Sequence, residues 1–218
     1  MTELSVIIPV FNSEITLKQL FDSVSGELKR NSGWEVIFVF DCGNERSWNI
    51  VNAIACENPS KVKALRLPVN TGQHNAVLHG IRHSAGRFIV TMDEDLQHNP
   101  VYIKKLLEKI KTGGYDVVYA RFRELKHSPI RKILSVIFRL TLRLIIPGLY
   151  PYYTSYRILK RETAMALLEL KVKYHFIDGM MGMVTEKFGY IEAEHYCRTA
   201  GESTYTMAKL LRHGLRII

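Results

Sequence analysis

The chain has 218 residues, 47% of them apolar, and its 30 Lys and Arg exceed its 21 Asp and Glu to leave a net charge of +9. That length suits one domain with a continuous core, and a basic excess points to a phosphate-bearing partner: nucleic acid, an anionic membrane surface or a phosphorylated substrate. Neither a disulfide framework nor a zinc site is supported, because Cys42, Cys56 and Cys197 are odd in number and fall in no CxxC or Cys/His spacing.

The opening MTELSVIIPV lacks the basic start and long apolar stretch of a signal peptide, so reduced thiols in a cytoplasmic setting are expected. Leu4 to Val10 reads as a buried strand, and Thr16 to Lys29 as a helix with Leu17, Leu20, Phe21, Val24 and Leu28 on one stripe. Glu35 to Phe40 is a second strand, Ser47 to Asn58 a second helix closed by Pro59, and Val62 to Leu67 a third strand. Gly72 to Ser84 reads as a helix and Phe88 to Met92 as a fourth strand. This alternation predicts βαβ units and a mostly parallel sheet, whose ligands bind outside the carboxyl ends of the strands. Asp41 and Asp93 both fall immediately after such ends.

The second half is less regular. Asp116 to Ala120 reads as a strand, Arg121 to Pro129 as a basic loop, and Ile130 to Ile146 as a helix. The apolar run Ile133 to Leu149 is too short for a membrane span and is broken by Arg139, Arg143 and Pro147. Tyr150, Tyr152 and Tyr153 crowd a turn around Pro147 and Pro151. Neither GGYD (113–116) nor GMMGM (179–183) has the strand–loop–helix context of a dinucleotide site, and Met180, Met181 and Met183 read as packing.

Chemistry concentrates in TMDEDLQHNP, residues 91 to 100, with its acidic cluster Asp93, Glu94 and Asp95. In an extended segment Asp93 and Asp95 share a side, and two carboxylates at a strand end repel unless a cation lies between them. Mg²⁺ or Mn²⁺ suits that oxygen set, with Gln97 able to add a neutral oxygen; the alternative is a solvated acidic turn.

Four segments in order resemble the family 2 glycosyltransferases, and most nearly their polyprenyl-phosphate branch. LSVIIPVFN is similar to the family's opening strand, EVIFVFDCGNERSW to its V-D-D-x-S-x-D-x-(S/T)-W segment, NTGQHNAVLHGIRHSAGRFIVTMDEDLQHNP to its N-x-G-Q…M-D-A-D-L-Q core, and HYCRTAGESTYTMAKLL to its H-x-x-R-x-x-G-x-S-K-Y segment. The resemblance implies a GT-A (Rossmann-like) three-layer α/β sandwich over 1–218, with a nucleotide-sugar half (1–100) and an acceptor half (101–218). It also implies inverting transfer from a nucleotide-sugar to a polyprenyl phosphate, with a saccharide hydroxyl in cell-surface polysaccharide synthesis as the alternative acceptor. Pro9, Phe11, Glu14 and Gln73 would line the donor pocket, and Asp41 would accept from the nucleobase. Asp93 would face the ribose or a metal-bound water, while Asp95 and Gln97 would hold the metal on the diphosphate; Glu94 should point away from them. Arg131 and Ser135 would bind the lipid phosphate, on a helix face shared with Arg139 and extended by Arg143. Arg157 would stand near the site, its bland reading being a surface ion pair, and Arg198 with Ser203 and Tyr205 would close over the diphosphate.

A phosphate acceptor needs no base; a hydroxyl acceptor would turn attention to Asp178 or His195. Three departures stand out: Phe40 replaces the first acid of V-D-D, Arg87 stands where an Asp is frequent and Thr204 where a Lys is frequent, the last two with a bearing on charge near the diphosphate. Phe40 keeps a non-catalytic nucleotide-binding scaffold in view. Acids at strand ends speak against a nucleic-acid partner despite the basic charge and eleven tyrosines. The expected setting is the cytoplasmic face of a membrane, peripherally bound, and a homo-oligomer is compatible with these features.

Overall fold

The computed structural model describes residues 2–29, 33–122, 146, 148–172 and 175–194. The first four strands are β1 (Leu4–Val10), β2 (Trp34–Phe40), β3 (Val62–Arg66) and β4 (Phe88–Thr91). Between and after them run α1 (Leu17–Leu28), α2 (Glu45–Glu57), α3 (Gln73–His83) and α4 (Tyr102–Thr112). The later elements are β5 (Val117–Phe122), β6 (Arg157–Lys160), α5 (Arg161–Glu169), α6 (Ile177–Val184) and β7 (Phe188–Ala193).

The strands form one seven-stranded sheet in the order β3-β2-β1-β4-β6-β5-β7, with only β6 antiparallel to its neighbours. β1 and β2 are buried along their whole length because both faces are covered, which explains their continuous apolar runs. Alternation sorts the side chains. Val6, Ile8 and Val10 of β1 pack with α1, α2 and α4, whereas Ile7 packs on the opposite face with α3, α5 and α6. The result is the expected three-layer GT-A sandwich.

Boundaries move for local reasons. The second helix starts at Glu45, two residues before the expected Ser47, because the Asn44 side chain caps it by accepting from Ser47 N–H at 2.8 Å. Strand β5 runs through Arg121 and Phe122, where a loop was expected, because β7 pairs with it as far as Phe122↔Ala193. The basic helix expected over 130–146 lies outside the described residues except for Ile146. Among the described residues no helix is long and apolar enough to cross a membrane.

The strand order reverses between β1 and β4, and there the carboxyl ends of β1, β2 and β4 open into a crevice. Antiparallel β6 begins at this same edge, with Arg157 opposite Thr91 of β4 and Tyr119 of β5.

Candidate active site

Three loops interlock at that edge. Phe11 N–H donates to both Glu94 carboxylate oxygens, at 3.1 and 3.3 Å, and Thr16 Oγ1 donates to the Glu94 carbonyl at 2.7 Å. Asn44 N–H donates to Asn12 Oδ1 at 2.7 Å, and Ser13 N–H to Ser47 Oγ at 3.1 Å. A Cβ on Gly43 would lie 1.5 Å from the Phe11 carbonyl oxygen, so the loop after β2 can cross the loop after β1 only at a glycine.

Asp41, buried at the end of β2, grips the turn before α3. Its Oδ1 accepts from Thr71 N–H (2.7 Å) and Thr71 Oγ1 (2.9 Å), and its Oδ2 accepts from Gly72 N–H (2.7 Å). Gly72 has φ +87°, a conformation open to glycine, and the turn delivers Gln73 to the start of α3.

Gln73 Nε2 in turn donates to Asp93 Oδ1 at 2.5 Å, while Ser155 Oγ donates to Asp93 Oδ2 at 2.7 Å. Both partners are neutral, so Asp93 is oriented without being charge-compensated by them. Its backbone N–H donates to His98 Nδ1 at 3.0 Å, which leaves the proton of a neutral His98 on Nε2. His98 is buried and stacked between Phe122 and Tyr156, at centroid distances of 5.4 and 4.9 Å. Asp95 Oδ1 accepts from Gln97 N–H at 3.1 Å, a side-chain turn that includes Leu96 at φ +62°. Enclosure raises the Glu94 carboxyl to about 7, the negative charges of Asp93 and Asp95 push the same way, and bonds from Ser13 and Phe11 oppose them.

Arg157 is the largest fully buried side chain of the described residues, which corrects its reading as a surface ion pair. Its guanidinium pairs with the buried Asp178 of α6 and donates to the Thr154 carbonyl at 3.1 Å. Tyr119 Oη donates to the same Asp178 oxygen at 3.0 Å. The pairing also changes the reading of Asp178 as a base, because protonating it would strand a buried guanidinium.

Pro9, Gln73, Asp93, Ser155, Arg157 and Asp178 line one cavity of about 320 Å³, within the range of small-molecule sites. Phe11 is exposed beside it in the β1–α1 loop, and half-buried Glu14 lies 3.8 Å from Arg46. Arg131, Ser135, Arg139, Arg143, His195, Arg198, Ser203, Thr204 and Tyr205 lie outside the described residues. Two departures are settled by position. Phe40 is core, packed against Trp48 at 5.7 Å. Arg87 precedes β4 and so lies at the other end of the sheet, about 20 Å of extended chain from Asp93, too far to act on charge there. The sequence reading missed His98, Ser155 and Tyr119. The first was visible inside the quoted motif, whereas only long-range strand pairing brings in the other two.

A sequence model of Glycosyl transferase family 2 matches residues 5–183. The chain belongs to this family. This family 2 member is 31% identical over 209 residues to an undecaprenyl-phosphate 4-deoxy-4-formamido-L-arabinose transferase of Shewanella sediminis, covering 95% of this chain and 63% of that one. The enzyme of the same name from Pseudomonas aeruginosa is 32% identical over 209 residues, with 95% and 61% covered. The chain thus spans just under two thirds of the length of these relatives. In fold it matches glucosyl-3-phosphoglycerate synthase of Mycobacterium tuberculosis, crystallised with Mn²⁺, UDP-glucose and glycerol 3-phosphate, at a TM-score of 0.71 and 17% identity over 99% of this chain and 77% of that one.

The family 2 site fits a divalent cation by donor chemistry. Asp93, Asp95, Gln97 and Ser155 offer only oxygen to a cation. Among the described residues no group of three or more His, Cys, Asp or Glu is placed to hold a metal ion, so the candidate set is two carboxylates with neutral oxygens. Such an open set suits Mg²⁺ or Mn²⁺, which completes its shell with substrate phosphates and water.

Proposed function

We propose that the chain carries an inverting, metal-dependent glycosyltransferase activity that moves a sugar from a nucleotide-sugar to a polyprenyl phosphate at a membrane surface. The observation that carries this reading is the convergence of Gln73, Asp93, Ser155 and Arg157, from separate segments, on one cavity at the switch point of the sheet. The names of the relatives support the acceptor class, and the Mn²⁺ and UDP-glucose in the solved neighbour support the donor class and a cation.

In this reading residues 1–100 bind the donor and 101–218 the acceptor, within one domain. Pro9, Phe11, Glu14 and Gln73 wall the donor site, and Asp41 turns a remaining lone pair toward the nucleobase. Asp95 and Gln97 hold the cation, with Asp93 toward the ribose or a metal-bound water. When bound, the cation neutralises charge building on the departing nucleoside diphosphate. Arg131 and Ser135 receive the lipid phosphate, and Arg198 and Ser203 close over the diphosphate. A phosphate oxygen is already ionised at neutral pH, so attack on the anomeric carbon needs no base. A saccharide hydroxyl would need one, and the commitment of Asp178 to Arg157 counts against that route.

The test is a thermal-shift screen of UDP-, GDP- and dTDP-sugars with Mg²⁺ or Mn²⁺, followed by radiolabelled transfer to a short polyprenyl phosphate in detergent. Stabilisation that needs the metal, and a labelled lipid product, are expected. Stabilisation without transfer to the lipid, but with transfer to a saccharide, would move the acceptor to a hydroxyl.

A further inference from the structure

The loop that carries Asp95 and Gln97 is closed on itself by one side chain. Asp93 N–H donates to His98 Nδ1 at 3.0 Å, so the imidazole spans the loop from its last residue back to its first. The other ring nitrogen, Nε2, stands 3.8 Å from Asp93 Oδ2, the oxygen that also accepts from Ser155 Oγ. One ring therefore faces both the backbone and the carboxylate of Asp93.

The ring has little freedom of its own. It is buried and lies nearly parallel to Phe122 and Tyr156, at interplanar angles of 10° and 14°. Phe122 ends β5, and Tyr156 directly precedes β6 and donates through Oη to the Asn99 carbonyl at 2.9 Å. The sheet thus fixes residues 98 and 99, and the imidazole passes that fixed point on to Asp93. Between the two ends Leu96 sits at φ +62°, a conformation that persists in a residue with a side chain only where its surroundings enforce it. A phenyl ring could fill the same stacked slot, but it would offer Asp93 N–H no acceptor. The nitrogen is what the imidazole adds.

We infer that His98 is a positioning residue for the cation site: through Nδ1 it holds the 93–98 loop in the shape that presents Asp93 and Asp95 to the metal. The inference rests on the metal and nucleotide-sugar reading above. In this role His98 touches neither cation nor substrate, and its effect runs through Asp93.

A matched pair of variants tests this. Asn and Leu share one branched outline, so His98→Asn and His98→Leu both lose the ring stack, and only His98→Asn keeps an acceptor near the place of Nδ1. Affinity for UDP, GDP and dTDP is measured by calorimetry in MnCl₂ and again in EDTA. For whichever nucleotide the wild type binds, His98→Leu should lose about tenfold or more in MnCl₂, and His98→Asn should stay within about threefold. Both should leave binding in EDTA at the wild-type level. Wild-type affinity in His98→Leu, an equal loss in the two variants, or a loss that persists in EDTA would overturn the inference. Should either variant lack a cooperative melt, the wild-type imidazole is read by ¹⁵N NMR. An unprotonated Nδ1 whose resonance moves when MgCl₂ joins the bound nucleotide is then expected, and a protonated Nδ1 or a resonance indifferent to MgCl₂ overturns it. Failure of the wild type to bind any of the three nucleotides, or equal binding in MnCl₂ and EDTA, would instead bring down the metal and nucleotide-sugar reading, and the inference with it.

Discussion

At the scale of single residues, the carboxylates of this edge have separable tasks. Asp95 Oδ1 accepts from Gln97 N–H in the turn after β4, and Asp95→Ala removes that bond. It should also remove metal dependence and nearly all transfer, because diphosphate charge would meet no cation. Full activity of the wild type in excess EDTA would refute the metal assignment. Asp41 differs, since three donors already converge on it. Asp41→Ala should therefore lower stability by about 1–3 kcal/mol and weaken nucleotide binding by a similar amount, with metal dependence retained. A lower melting point with unchanged nucleotide affinity in calorimetry would make Asp41 a clamp for the turn before α3 and nothing more. Glu94 is a tether. Glu94→Gln keeps an acceptor for Phe11 N–H and removes a like charge beside Asp93 and Asp95, so it should be tolerated where Glu94→Ala is not, as judged by thermal melts.

At the scale of elements, another buried carboxylate ties strands together at the opposite edge of the sheet. Glu35 of β2 accepts from Ser5 Oγ of β1 and from Ala85 N–H, both at 2.6 Å, and pairs with Lys63 of β3 at 2.8 Å. Burial alone would raise its pKa, but the Lys63, Ser5 and Ala85 bonds outweigh burial and hold it below the ordinary 4.5. A depressed carboxyl contributes stability that is full above its unfolded value and is lost as pH falls through its folded one. Melting temperature should thus fall more steeply below about pH 4.5 in the wild type than in Glu35→Gln, which at pH 7 should cost about 1–2 kcal/mol. Parallel acid profiles would refute this. The first four strands and three helices were legible because each carries its own periodicity over five or more residues or a near-continuous apolar run. The elements from 157 to 193 were not. Strand β6 has only four residues, RILK, and its antiparallel place between β4 and β5 depends on pairing across more than thirty residues of chain, which no local pattern encodes. The burial of Arg157 was not legible for the same reason, since Asp178 of a distant helix has to be brought to it. The place of Asp93 at the cavity was legible because motif and strand end coincide.

At the scale of the whole molecule, the proposed reaction would bring two phosphate groups to one cavity edge. Of the described residues lining the cavity, Arg157 is the only Lys or Arg, and Asp178 already matches it. Countercharge for an acceptor phosphate therefore has to come from elsewhere in a chain of net charge +9. Arg131, Ser135 and Arg139, spaced by four, are the sequence's candidates, and they lie outside the described residues. Arg131→Ala with Arg139→Ala should cut transfer to a short polyprenyl phosphate about tenfold or more and leave nucleotide affinity near the wild-type value. A guanidinium holds a phosphate with two parallel hydrogen bonds, so its loss raises the acceptor KM, and kcat falls as well if the attacking oxygen is misaligned. Lysine at 131 should restore only part of the loss, since it brings charge without the planar fork. Radiolabelled transfer in detergent, beside donor affinity measured separately, checks this. Equal transfer by wild type and double variant would remove the lipid phosphate as acceptor. His195 would then be the base to examine for a saccharide hydroxyl, because Asp178 is held by Arg157.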